Sequence, residues 1–215
     1  MSKVIVIILS VVAIFIFLFA AYKLTNTSSD KSYPEVNKIT KTDHVTWSKD
    51  KKNILVEYSD LQCPACQSFA EFMKSEIEAS GAANADILKK VTFVYRHFPL
   101  VQHAHAEEAA KAAEAAGKQG KFFEFASLAF EKQKDWAENK DAVKKFESYA
   151  QSLKLDMDKF KKDRDSKEIK DKVAADLLSG QTAQVNSTPT FYLNGKKLAP
   201  INSFEDFLKP LKSLK

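Results

Sequence analysis

The sequence predicts an α/β protein: a central sheet with helices, a helical domain inserted between the second and third central strands, and an apolar amino-terminal helix. Three observations carry this reading. Residues 53–59 and 91–95 are short, apolar and β-branched, the pattern of buried strands. The long stretch after them has helical periodicity, and strand character returns only at residues 190–195. Residues 4–22 form an apolar run broken only by Ser10.

That run, at about 1.5 Å per residue, spans roughly 28 Å, enough to cross the hydrocarbon core of a bilayer. A retained anchor fits it better than a cleaved signal peptide, whose apolar region is usually about 7–15 residues. Cleavage after Ala20 or Ala21 would also place bulky Leu18 or Phe19 where a small residue is wanted. Residues 1–22 are therefore expected to be a transmembrane anchor or signal, with 23–42, polar and poor in apolar residues, as a flexible tether. Residues 43–215 form the folded domain, with its helical insertion at about 100–184. No cysteine follows the apolar run closely enough for lipid attachment.

The formal charge is +5. Lys3, Lys23, Lys31, Lys38 and Lys41 lie in the first 45 residues against Asp30, Glu35 and Asp43, leaving the rest only +3. There the lysines alternate with acids, as in Lys161-Lys162-Asp163-Arg164-Asp165. No basic cluster interleaved with aromatics marks a nucleic-acid groove, so no nucleic-acid partner is expected.

Chemistry concentrates in the chain's two cysteines, Cys63 and Cys66. A zinc site needs four ligands, and His97, His103 and His105 do not repeat a finger spacing, so metal binding is the weaker reading. The motif lies where the strand at 53–59 gives way to a helix marked by Phe69, Phe72, Met73 and Ile77. With Cys63 at the N-cap, Pro64 falls at the first helical position, where its missing N–H costs nothing. The free amides of Ala65 and Cys66 then face the Cys63 sulfur and, with the helix dipole, stabilise its thiolate. Cys63 should be the exposed nucleophile of low pKa, and Cys66 the buried partner that resolves mixed disulfides. Further on, Asn194-Gly195 reads as a hairpin turn, and Ser203 caps a closing helix carrying Phe204, Phe207, Leu208 and Leu211. The aromatics at 122–130 read as a packed helical core, not a cofactor pocket. His103 and His105 receive no role.

Taken together, Val-Glu-Tyr-Ser-Asp-Leu-Gln-Cys-Pro-Ala-Cys at 56–66, Tyr-Arg-His-Phe-Pro-Leu at 95–100, His-Ala-Glu-Glu-Ala-Ala at 105–110, Gln-Gly-Lys-Phe-Phe-Glu-Phe at 119–125 and Val-Asn-Ser-Thr-Pro-Thr-Phe at 185–191 resemble the DsbA-like thiol–disulfide oxidoreductases of bacterial envelopes. The resemblance covers roughly residues 43–215. It implies a thioredoxin fold with a helical insertion, in keeping with the order strand, helix, strand, hairpin, helix. It implies a cis bond at Thr188-Pro189, opposite the cysteines, leaving the backbone of residue 188 free to pair with a substrate strand. It also puts Glu57 where the family keeps a buried carboxylate, a proton relay for Cys66. Pro64 and Ala65 shape the site, and Ala65 stands where the family often has histidine, which weakens the expectation of strong oxidising power.

The expected activity is a dithiol oxidase that passes its disulfide to exported cysteine-containing proteins. A disulfide reductase or isomerase is the alternative, and a tethered metal- or peptide-binding module a more distant one. By the same resemblance, a quinone-linked membrane protein of the DsbB or vitamin K epoxide reductase type would reoxidise it. No cofactor or metal is expected. The chain is expected to be a monomer, single-pass in the cell membrane through residues 4–22. Disulfides persist outside the cytosol, which puts the catalytic domain on the extracytoplasmic side.

Overall fold

The computed structural model describes residues 3–25, 32–199 and 201–214. The chain divides into two compact units, Met1–Lys31 and Ser32–Lys215. The first holds α1 (Lys3–Thr25), whose side chains are exposed along residues 9–20. Over the described residues no helix is long and apolar enough to cross a membrane. Within α1 the side chains are described without a break only over residues 9–21, so the expected span at 4–22 lies partly outside them.

The second unit is built on a five-stranded sheet of order β1-β3-β2-β4-β5. Its strands are β1 (His44–Trp47), β2 (Ile54–Ser59), β3 (Thr92–His97), β4 (Thr190–Leu193) and β5 (Lys196–Lys197). The β2–β3 pair is parallel; every other pair is antiparallel. Central β2 is buried almost throughout, as its continuous apolar run requires. Strand alternation divides its residues between two cores. Leu55 packs into the larger cluster with both cysteines, Phe93, Tyr95 and Phe191, whereas Val56 and Tyr58 join Val94, Phe98 and Tyr192 in the smaller one. Asn194 and Gly195 have φ of 51° and 78°, the paired positive angles of a tight hairpin between β4 and β5.

Helix α2 (Pro64–Met73) follows β2 and continues into a π turn over Lys74–Glu78; the short α3 (Ile87–Lys90) leads into β3. The insertion lies between β3 and β4. It comprises α4 (Ala106–Gly117), α5 (Phe122–Glu131), the single turn α6 (Gln133–Trp136), α7 (Ala142–Ser152), α8 (Met157–Arg164) and α9 (Lys167–Thr182). Phe125 packs between Phe146 and Phe160, ring centroids 6.4 and 6.0 Å away, so that part of the aromatic run is core as read, whereas Phe123 and Phe130 also line a cavity. Helix α10 (Phe204–Lys212) closes the chain behind a full capping box between Ser203 and Asp206.

The folded unit begins at Ser32, ahead of the boundary at residue 43 read from composition. Val36 is buried on the smaller core, and Arg96 fastens the segment. Its guanidinium donates to both Asp43 carboxylate oxygens at 3.1 and 3.0 Å, and to the Val36 and Lys38 carbonyls at 3.0 and 2.9 Å. Burial alone would raise the Asp43 carboxyl, but the Arg96 fork outweighs it and holds the pKa below its ordinary value. Residues 32–42 thus resemble a polar linker in composition while being ordered by one buried apolar side chain and one arginine.

Gly180 of α9 marks where the insertion meets the sheet. A Cβ there would come within 2.5 Å of the Phe98 ring and 3.0 Å of Tyr58. Gly180→Ala should therefore destabilise the protein by about 1–3 kcal/mol, overriding the roughly 1 kcal/mol that alanine contributes in a helix interior. Urea unfolding with an unchanged slope would measure it.

Candidate active site

The site sits at the carboxyl end of β2, where the chain turns into α2. Cys63 is the N-cap, with φ −75° and ψ 122°, and Pro64 occupies the first turn. The Cys63 carbonyl accepts the Gln67 amide at 3.1 Å. Both cysteines are free thiols. Cys66 is fully buried, and Cys63 is only 6% exposed, more enclosed than the open nucleophile expected, with the Thr188 carbonyl against its sulfur.

The Thr188-Pro189 bond is cis, and the Thr188 carbonyl accepts the Cys63 thiol at 3.3 Å. The buried Thr188 hydroxyl has no hydrogen-bond partner among the described residues and lies where it favours the Cys63 thiolate. The Cys63 thiol is lowered from its ordinary 9.0 to about 5. A hydrogen bond from Cys66 is the largest cause; burial opposes it, and Thr188 with the amides of Cys66 and Ala65 adds to the lowering. Cys66 goes the other way, pushed well above 9.0 first by burial, then by its bond to Cys63 and the nearby Glu57 charge. One sulfur is thus a thiolate at neutral pH and the other a thiol.

Iodoacetamide should consequently modify the reduced protein at Cys63 with a rate that half-titrates near pH 5, not near 9. The sign follows: a thiol lowered in the folded state favours the reduced fold at high pH, and this advantage disappears as pH falls through about 5.

Glu57 lies on the face of β2 that carries Leu55, between Tyr95 and Phe191 of the flanking strands, and is 3% exposed. Burial raises its carboxyl to about 7, the Ser59 hydroxyl opposes, and the Cys63 charge adds to the rise. Its place is buried, without an ion pair among the described residues. A cavity of about 570 Å³ reaches Glu57 and Tyr95 from beneath α2, walled by Trp47, Phe93, Phe123 and Phe130.

Several polar residues that received no role from the sequence hold the loop before Cys63. The Gln133 side-chain amide of α6 donates to the Leu61 and Cys63 carbonyls at 2.8 and 3.1 Å. Gln62 donates to the Ala137 carbonyl at 2.7 Å and accepts the His105 amide at 2.7 Å. The buried Asp60 carboxylate accepts from the Gln62 and Leu100 amides and from His103 Nδ1. The one signal in the sequence is position: Asp60 and Gln62 are polar residues within three places of the first cysteine, at the end of an apolar strand, with nothing to name their partners. Among the described residues no group of three or more His, Cys, Asp or Glu is arranged to hold a metal ion.

A CxxC pair with this asymmetry, on a helix N-terminus facing a cis-proline, is a thiol–disulfide exchange centre. A family model described as thioredoxin matches residues 39–213, and the chain belongs to that family. Among solved structures, the fold is similar to alpha-DsbA1 of Wolbachia pipientis, with a TM-score of 0.70 and 20% identity over 85% of this chain and 96% of that one. It is similar also to oxidised BdbD of Bacillus subtilis, with a TM-score of 0.66 and 22% identity over 80% and 92%. MdbA of Corynebacterium diphtheriae, a thiol-disulfide oxidoreductase, gives a TM-score of 0.60 at 18% identity over 86% and 96%. The first curated relatives are Na(+)/H(+) antiporters, among them NhaA 3 of Salinispora tropica, 33% identical over 156 residues. That match takes in 72% of this chain and 22% of the antiporter. The chain spans about a fifth to a quarter of the length of such relatives, whose name describes the longer protein.

Proposed function

We propose that the protein is a dithiol oxidase that introduces disulfides into exported proteins. The opposed pKa shifts of the two cysteines carry the reading, because a thiolate that is stable at pH 7 stabilises the reduced enzyme and makes its disulfide the better oxidant. In the cycle, a substrate thiolate attacks Cys63 Sγ of the enzyme disulfide. The Cys63–Cys66 bond breaks, and its electron pair goes to Cys66. Glu57, half protonated near pH 7, supplies the proton that makes Cys66 a thiol. A second substrate thiolate then attacks the substrate sulfur of the mixed disulfide, and Cys63 leaves as the thiolate it is at neutral pH. The Thr188 backbone, beside Cys63, offers an extended substrate segment a strand to pair with.

The same reading includes a quinone-linked membrane reoxidant of the DsbB or vitamin K epoxide reductase type, a bilayer anchor at residues 4–22 and an extracytoplasmic active site. The apolar run and the need for an oxidising compartment support it. An impermeant thiol reagent should label Cys63 in intact cells; labelling only after lysis would reverse the orientation. Direction is tested by equilibrating the Cys63–Cys66 pair with glutathione. A potential of about −120 to −180 mV is expected for a disulfide donor, and about −270 mV would make the protein a reductase.

A further inference from the structure

We propose that Asp60 and His103 are positioning residues that aim the Asp60 amide at Cys66 Sγ, so that this N–H stabilises the charge on Cys66 whenever the enzyme's disulfide opens or closes. The Asp60 N–H points at Cys66 Sγ, 3.5 Å away, as a backbone donor to the buried sulfur. Two sets of contacts fix this peptide. On one side, the preceding Ser59 carbonyl accepts the Phe98 amide at 2.7 Å, which sets the peptide plane. On the other, the Asp60 side chain is fully buried and anchored three times. Oδ1 accepts the Gln62 amide at 2.8 Å; Oδ2 accepts the Leu100 amide at 2.9 Å and His103 Nδ1 at 2.7 Å. His103 is the only one of these donors that is a side chain, and it is about one-fifth exposed, so it can be changed without opening the core.

The chemical need is plain from the site. When a substrate thiolate attacks Cys63, the Cys63–Cys66 bond breaks and its electron pair passes to Cys66, buried among apolar groups. A leaving sulfur in such surroundings has a costly thiolate, and a lower leaving-group pKa speeds exchange. The Asp60 amide is the group that opposes burial at this sulfur. By microscopic reversibility it equally favours Cys66 as the attacking thiolate when a mixed disulfide is resolved. The inference rests on exchange between the two cysteines and not on its net direction.

The test uses the full chain with His103→Ala and His103→Asn; asparagine can donate from close to the Nδ1 position. His103→Ala should slow attack of a model dithiol peptide on the enzyme disulfide roughly three- to tenfold. His103→Asn should recover most of that rate. In a Cys63→Ala background, His103→Ala should also move the pH profile of Cys66 alkylation upward, a readout that merely looser packing would not shift in this sense. Unchanged Cys66 alkylation, or equal slowing by Ala and Asn, would overturn the proposal. A glutathione equilibrium near that of thioredoxin would instead count against the oxidase reading alone.

Discussion

Replacing Cys66 with serine should stop turnover, by more than about 10³-fold, and leave Cys63 covalently joined to substrate. The serine hydroxyl can donate to Cys63 in place of the Cys66 thiol, and the helix N-terminus and the Thr188 contact remain, so Cys63 stays a thiolate able to enter mixed disulfides. Without the sulfur one turn inside α2, nothing within the protein releases the adduct. Non-reducing electrophoresis of Cys66→Ser from cells should show high-mass species that a reductant removes, and mass spectrometry should locate each linkage at residue 63. Cys63→Ser should give none, because buried Cys66 is out of reach of a protein disulfide and is held as a thiol. A Cys66→Ser protein that formed no adducts would remove the case for exchange chemistry and bring binding roles forward.

Replacing Glu57 with glutamine should make the protein more stable and less active. In the unfolded chain this carboxyl ionises near 4.5, whereas in the fold burial lifts it to about 7. Between those values the folded state retains a proton that the unfolded state has lost, so stability falls as pH rises through this window. The cost is complete above about pH 7 and amounts to roughly 3 kcal/mol. Glu57→Gln removes it. At pH 8 the variant should melt about 5–10 °C higher than the parent, and at pH 4 the two should coincide. Exchange should meanwhile slow by about 10²-fold, since glutamine cannot hand a proton to Cys66. Equal melting curves at pH 8 would mean that Glu57 is already neutral or well solvated there.

Much of this fold was legible because its elements carry strong local signals. The β2 run, the helix after Pro64, the Asn194-Gly195 turn and the Ser203 cap are each set by residues within a few positions of one another. Strand β1 was not legible. His44-Val-Thr-Trp47 is too short and too mixed in polarity, and it exists by pairing with β3 across a long separation. The order of residues 32–43 escaped for a similar reason, since Arg96 supplies their partners from the middle of the sheet. In the site, the cysteines and Thr188-Pro189 stood out by residue type and motif. Asp60, Gln62 and Gln133 did not, because an isolated polar residue has no meaning until its partner is known. For Asp60 and Gln62 the distant partners lie on the insertion or just before it, at Leu100, His103, His105 and Ala137; for Gln133 they are the Leu61 and Cys63 carbonyls.

The grip of the insertion on the loop before Cys63 also bears on how the domain could be trimmed or rebuilt. A shortened chain that joined β3 directly to β4 would keep the sheet, both cysteines and the cis-proline. It would lose the Gln133 donors, leaving the Leu61 carbonyl to find water and the Cys63 carbonyl with the Gln67 amide alone, at the very turn that orients the nucleophile. The helical domain is part of the redox centre's own scaffold, so a minimal version of this enzyme would need a new residue to do what Gln133 does.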